Sequence, residues 1–168
     1  MPKYIAIVLL SIILGSCDSN VIWSESKSIP NGFWSKDTVL NFSLPEVDST
    51  AVYNVFLTVR NTNNFKFNNL YVIVAMEHPF GKKVTDTIEY RLANPDGTWL
   101  GNGMGSVKEN KLWFKEGFHF KESGNYNISI THAMRNNGEA DGVSNLEGIT
   151  DVGFSIEAID QELSLIHI

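Results

Sequence analysis

The chain has 168 residues, with 13 Lys and Arg against 19 Asp and Glu, a formal charge of -6. That length suits one domain of ordinary size, and 43% hydrophobic residues supply a real core, so wholesale disorder is excluded. A pI near 5.1 argues against nucleic-acid binding, which needs a basic face to displace counterions. The single cysteine rules out an intramolecular disulfide and a Cys-based zinc site.

The chain begins with an address. Lys3 supplies a positive n-region, and Tyr4 to Ile13 is an apolar run too short to span a bilayer as a stable helix. It ends in Leu14-Gly15-Ser16-Cys17, an apolar residue and two small ones before a cysteine. This is the bacterial lipobox pattern. A diacylglyceryl group is attached to the thiol, and small residues at Gly15 and Ser16 let the extended backbone enter the signal peptidase. The only cysteine stands where that chemistry needs it, and two or three acyl chains give stable anchoring. Residues 1–16 are therefore expected to be a lipoprotein signal peptide, and residues 17–28 a lipidated N-terminus and tether. Residues 29–162 are expected to be the folded domain.

Period-2 alternation dominates that domain. Leu40, Phe42 and Leu44 alternate with polar neighbours, as do Ile88, Tyr90 and Leu92. Tyr126, Ile128 and Ile130 repeat the pattern, as do Val152, Phe154 and Ile156. Tyr53, Val55, Leu57 and Val59 form one face of another strand, with Phe56 on the opposite face. From Leu70 to Met76 every residue is apolar or aromatic, which predicts a central strand covered on both faces. Trp23 and Trp113 are read as strand residues, and a helical turn is expected around Ala133 to Asn136. Turn signals at Ile29-Pro30-Asn31-Gly32, His78-Pro79-Phe80-Gly81, Asn94-Pro95-Asp96-Gly97 and Ser123-Gly124-Asn125 separate the runs. The fold class is all-β: a single β-sandwich of about eight strands, immunoglobulin-like or jelly-roll in type. The predicted core is Tyr53, Val55, Leu57, Leu70, Val72, Val74, Tyr126, Ile128, Ile130, Val152, Phe154 and Ile156.

Enzyme signatures are missing. There is no G-x-S-x-G, H-E-x-x-H or Walker loop, and no EF-hand calcium pattern. Gly101, Gly103 and Gly105 do not complete a dinucleotide fingerprint, since Ser106 and Lys108 stand where the third glycine would be. His78, His119 and His132 are read as surface or strand-edge residues rather than ligands. No catalytic residue, metal site, cofactor or small-molecule substrate is assigned. The stretch from Asn94 to Asn110 exceeds the usual connection length, and long loops are often functional. Its Asp96, Gly97, Trp99, Leu100, Gly101, Gly103, Met104 and Gly105 form the candidate interaction loop. Asp96-Gly97 is expected to make a tight turn, and the later glycines to allow backbone shapes that a side chain forbids. Trp99 either pins this loop to the sandwich or joins Leu100 and Met104 in an exposed patch, with burial favoured. Trp34 and Trp99 adjoin turns, so each is either core packing under a loop or a stacking platform of a glycan-binding surface lipoprotein.

At the other end, Leu163-Ser164-Leu165-Ile166-His167-Ile168 matches the translation of a transposon-end adapter. Residues 163–168 are therefore expected to be a non-native tail, outside the fold.

The order of motifs carries a family resemblance. Cys17-Asp18-Ser19-Asn20 is followed by Ile29-Pro30-Asn31-Gly32-Phe33-Trp34, Val59-Arg60-Asn61-Thr62 and Asn69-Leu70-Tyr71. Asp86-Thr87 and Leu92-Ala93 come next, then the run from Asn94-Pro95-Asp96-Gly97-Thr98-Trp99 through Leu100-Gly101-Asn102-Gly103-Met104-Gly105. Ala133-Met134-Arg135 and Ile149-Thr150-Asp151-Val152-Gly153 close the series. This resembles the gliding-motility lipoprotein GldH family of Bacteroidota, from Cys17 to about Glu157. The resemblance implies a non-enzymatic, membrane-anchored envelope lipoprotein, accessory to the gliding and type IX secretion machinery. Its partners would be the membrane, through the N-terminal lipid, and other envelope proteins of that machinery. In that phylum an acidic run after the cysteine resembles a signal for export to the cell exterior. No such run follows Cys17, so a periplasm-facing anchor is expected.

Overall fold

In the computed structural model, residues 20–159 are described. Cys17, the lipobox residues Leu14, Gly15 and Ser16, and the 163–168 stretch lie outside them. Strands β1 (Val21–Ser28), β2 (Phe33–Ser35), β3 (Leu40–Leu44), β4 (Tyr53–Thr62) and β5 (Asn69–Glu77) occupy the first half. Strands β6 (Lys83–Arg91), β7 (Val107–Phe118), β8 (Tyr126–His132), β9 (Asn145–Glu147) and β10 (Ile149–Ala158) follow. One sheet runs β1-β10-β4-β7, the facing sheet β3-β8-β5-β6, and β2 pairs with β9 in a small third sheet. Every pairing between these strands is antiparallel.

The period-2 pattern places the core. All of Tyr53, Val55, Leu57, Leu70, Val72, Val74, Tyr126, Ile128, Ile130, Val152, Phe154 and Ile156 are buried in one cluster. Phe154 joins the sheets, lying 5.8 Å from Phe114 and 6.2 Å from Phe42, ring centre to ring centre.

The structure departs from expectation in four places. Ten strands replace about eight, because β2 and β9 have three residues each and cannot display a period. Residues 21–28, expected within the tether, form β1 along the free edge of β10. The residues of β1 that share a face with Trp23 are Glu25 and Lys27, which form a 2.6 Å ion pair. The Lys27 ammonium also sits 5.3 Å from the Phe42 ring centre. Charges at such positions discourage edge-to-edge pairing, and they erase the apolar alternation. The expected helical turn at Ala133 to Asn136 is extended: the Ala133 amide donates to the Tyr71 carbonyl, and Arg135 bridges to Gly142. Strand β5 is central in its sheet, but its outer face is only partly covered, with Tyr71 exposed and Ile73 half-buried.

Register defines two poles. Val21 faces Glu157, Asn54 also faces Glu157, and Tyr53 faces Phe118, so these residues share one end. At the opposite end Ser28 faces Asp151, Arg60 faces Asp151, and Thr62 faces Val107. Ten residues of β10 at about 3.3 Å each separate the poles by about 30 Å.

Candidate functional site: the 94–110 hairpin

The long connection after β6 is ordered by polar contacts at the Thr62–Val107 pole. The Asn94 amide donates to the Thr98 carbonyl, and the Gly97 amide donates back to Asn94. Asp96 Oδ1 accepts from the Thr98 hydroxyl at 2.6 Å and from its amide at 2.9 Å. These bonds, hydroxyl first, hold the Asp96 carboxyl below the usual carboxylate range. Gly97, at φ +86°, completes the tight turn.

Ala93 then bridges Trp99, and Asn102 bridges Glu109, so the segment folds back on itself as a hairpin. Its base is tied to the core by Asn110. This buried side chain donates to Asn61 Oδ1 at 2.9 Å and to the Val59 carbonyl at 3.1 Å. Such an amide leaves costly unsatisfied groups if removed. A Cβ on Gly101 would meet Asn110 Oδ1 at 2.7 Å, and one on Gly103 would meet the Val107 carbonyl oxygen at 2.6 Å. Close backbone approach therefore excludes side chains at both.

Trp99 is half-buried. Its indole Nε1 donates to Asn63 Oδ1 at 3.0 Å, and its ring lies 6.2 Å from Phe65. The ring thus pins the hairpin to the 63–68 loop. Leu100 and Met104 do the opposite: they are 48% and 98% exposed. Met104 thus stands bare in the turn between Asn102 and Glu109, while Leu100 lies nearer the base, its amide donating to the Leu92 carbonyl.

The other tryptophans separate clearly. Trp34 is fully buried, with its indole donating to the Thr38 carbonyl at 3.1 Å. Neither it nor the pinned Trp99 is a free stacking platform. Trp23 is partly buried, while Trp113 is 51% exposed and lies 4.4 Å from the Phe56 ring. His132, read as a surface or strand-edge residue, ends β8 but is buried under Trp34. Its Nε2 lies 3.0 Å from the Trp34 carbonyl, and Nδ1 accepts the Met134 amide at 3.4 Å. That pair of contacts requires the neutral ring protonated on Nε2. Burial lowers its pKa, opposed by the bond to the Trp34 carbonyl.

A separate cleft of about 280 Å³ lies between the β6 and β7 edges, floored by Met76, Val84, Phe114 and Phe118. His78 Nδ1 stands 3.5 Å from Glu122 Oε1 there, and a Lys115–Asp86 ion pair of 2.7 Å crosses between the strands. Sequence reasoning did not find this cleft, since its residues converge only through the sheet edges. No Ser, Thr or Cys stands among its lining residues. Among the described residues no group of three or more His, Cys, Asp or Glu is placed to hold a metal ion.

Fold and site together define an antiparallel β-sandwich that displays one ordered hairpin at a pole. The chain belongs to the GldH lipoprotein family, whose model matches residues 21–156. It is 49% identical over 154 residues to the gliding motility lipoprotein GldH of Flavobacterium johnsoniae, covering 92% of this chain and 95% of that one. It is also 49% identical over 149 residues to a gliding motility lipoprotein GldH homolog of Christiangramia forsetii, covering 89% and 91%. Among solved structures, dimeric latent PorU from Porphyromonas gingivalis matches 83% of this chain and 13% of that chain, at 7% identity and a TM-score of 0.35. The VP2 subviral particle of infectious bursal disease virus matches 84% and 34%, at 14% identity and a TM-score of 0.33. Likeness at that level carries no argument here.

Proposed function

We propose that this protein is a non-enzymatic envelope lipoprotein, an accessory component of the gliding motility and type IX secretion machinery. Acyl groups on Cys17 hold it on the membrane, facing the periplasm, and it acts through protein–protein contacts of the 94–110 hairpin. Membership of a family with gliding-motility relatives supports the setting. The lipobox Leu14-Gly15-Ser16-Cys17 supports the anchor, and the lack of an acidic run after Cys17 supports the orientation. The observation that carries the contact role is the hairpin tip itself: Met104 is 98% exposed on a segment whose backbone is fixed by bonds on both sides. Fixing the backbone in advance lowers the ordering cost of docking.

The test uses a gliding strain that lacks its own relative. The wild-type gene restores spreading, and a photo-crosslinker at Met104 traps an envelope protein. Cys17→Ser leaves the precursor unprocessed and does not restore spreading. Restoration by Cys17→Ser at normal protein level would remove the anchor from the mechanism.

A further inference from the structure

We infer that the His78–Gly81 turn is a second membrane contact, with Phe80 seated in the lipid interface on the same pole as the acylated N-terminus. The inference rests on the proposed lipidation of Cys17. It follows from where the chain enters the fold.

Only residues 18–20 separate Cys17 from Val21, the first residue of β1. Fully extended, that distance is at most about 14 Å. The headgroup layer of a bilayer is itself about 5–8 Å deep on each side. The Val21 pole is therefore held at the membrane surface, and the opposite pole stands about 30 Å farther out.

The turn belongs to the Val21 pole. Glu77 faces Lys83 across the β5–β6 hairpin, and the Gly81 amide donates to the His78 carbonyl at 2.9 Å. A chain of ring contacts ties this turn to the start of β4: Tyr53 to Phe120 at 5.8 Å, Phe120 to Tyr126 at 5.0 Å, and Tyr126 to His78 at 5.0 Å. Asn54, next to Tyr53, and Val21 both face Glu157 of β10.

Phe80 is 82% exposed at the tip. A lone exposed aromatic on a soluble surface would need no explanation. This one stands on the pole that the acyl chains would hold against lipid, which also exposes Ile22 at 52% and Val21 at 37%. Phe, like Trp and Leu, is a side chain that interfacial segments bury at the boundary between headgroups and acyl chains. Lys82 and Lys83 follow Phe80 and are exposed, so their stems can lie along the interface with the ammonium groups among phosphates. The pole is not strongly basic, since Glu46 and Asp48 stand on the neighbouring loop. Apolar seating in the leaflet that holds the acyl chains, rather than charge attraction, is the driving term. The contact would stop the domain from swinging on its tether and would keep the 94–110 hairpin pointed away from the membrane.

The experiment exploits the lone cysteine, whose sulfur is consumed by the lipid. Lys82→Cys and Met104→Cys each add one labelling site to the full lipidated protein, which keeps Phe80. Each carries an environment-sensitive dye and is reconstituted on phosphatidylethanolamine–phosphatidylglycerol vesicles containing nitroxide lipids. Flotation reports anchoring separately. The expected result is that both proteins float, the Lys82→Cys label loses more than half its emission, and the Met104→Cys label does not. Adding Phe80→Asp to the Lys82→Cys protein should restore emission while flotation persists. Floating protein with an unquenched Lys82→Cys label, or with quenching untouched by Phe80→Asp, overturns the inference and leaves the anchor standing. Protein that fails to float removes the anchor and the inference with it.

Discussion

The two poles of the sandwich share an Asp–Thr turn motif, at Asp48-Thr50 and Asp96-Thr98, but differ in what dominates them. At the Val21 pole, Phe118, Phe120, Tyr126, Tyr53 and His78 stack ring against ring behind short turns. At the hairpin pole, Asn110, Asn61, Asp96 and Thr98 bond a long connection into place, and Trp99 supplies one aromatic pin. Apolar burial is non-directional and supports a blunt end. Directional bonds can hold a projecting hairpin whose tip residue, Met104, stays uncommitted. The proposed roles draw on this difference: a blunt pole against the membrane and a shaped hairpin for a partner.

Breaking the stacked pole should cost most. Phe120 is fully buried, and Phe120→Ala is expected to lower unfolding free energy by about 3–5 kcal/mol in a denaturant titration. The bonded pole should cost less. Asn110→Ala strips partners from Asn61 and from the Val59 carbonyl, with an expected loss of about 1–3 kcal/mol. It should also expose the hairpin base, so proteolysis at 94–110 would rise before global unfolding.

The smallest effect is a pH dependence from His132. Its folded pKa lies below the ordinary 6.5, so the unfolded chain binds its proton more readily. The stability that the neutral ring contributes is full above 6.5 and is lost as pH falls from there through the lowered folded value. Melting scans of wild type and His132→Gln between about pH 7.5 and pH 5 should show a steeper acid-side decline in the wild type. Equal slopes would remove His132 from the acid response.

Much of the fold was legible because alternation reports burial directly when one sheet face is wet. The core faces of β4, β8 and β10 followed that rule, while β5 was read from its unbroken apolar run. What escaped depended on distant contacts. Trp34 beside Asn31-Gly32 looked displayable, yet His132, far along the chain, closes over it at 5.4 Å. Trp23 was read as a strand residue, but the extent of β1 hid because its Trp23 face carries Glu25 and Lys27. At the hairpin, the Asp96-Gly97 turn was readable from residue type. The anchor of its base was not, since Asn110 finds Asn61 and Val59 only after β4 and β7 pair. The opposite exposures of Trp99 and Met104 likewise come from the 63–68 loop, not from local sequence.

The most direct test is a double substitution of the hairpin's exposed apolar residues, Leu100→Asp with Met104→Asp, expressed in a gliding strain lacking its own relative. Both side chains are exposed, so the melting temperature and membrane fraction should match wild type. The prediction is that spreading and secretion are nevertheless lost. Full restoration of both at equal protein level would contradict a contact role for the hairpin.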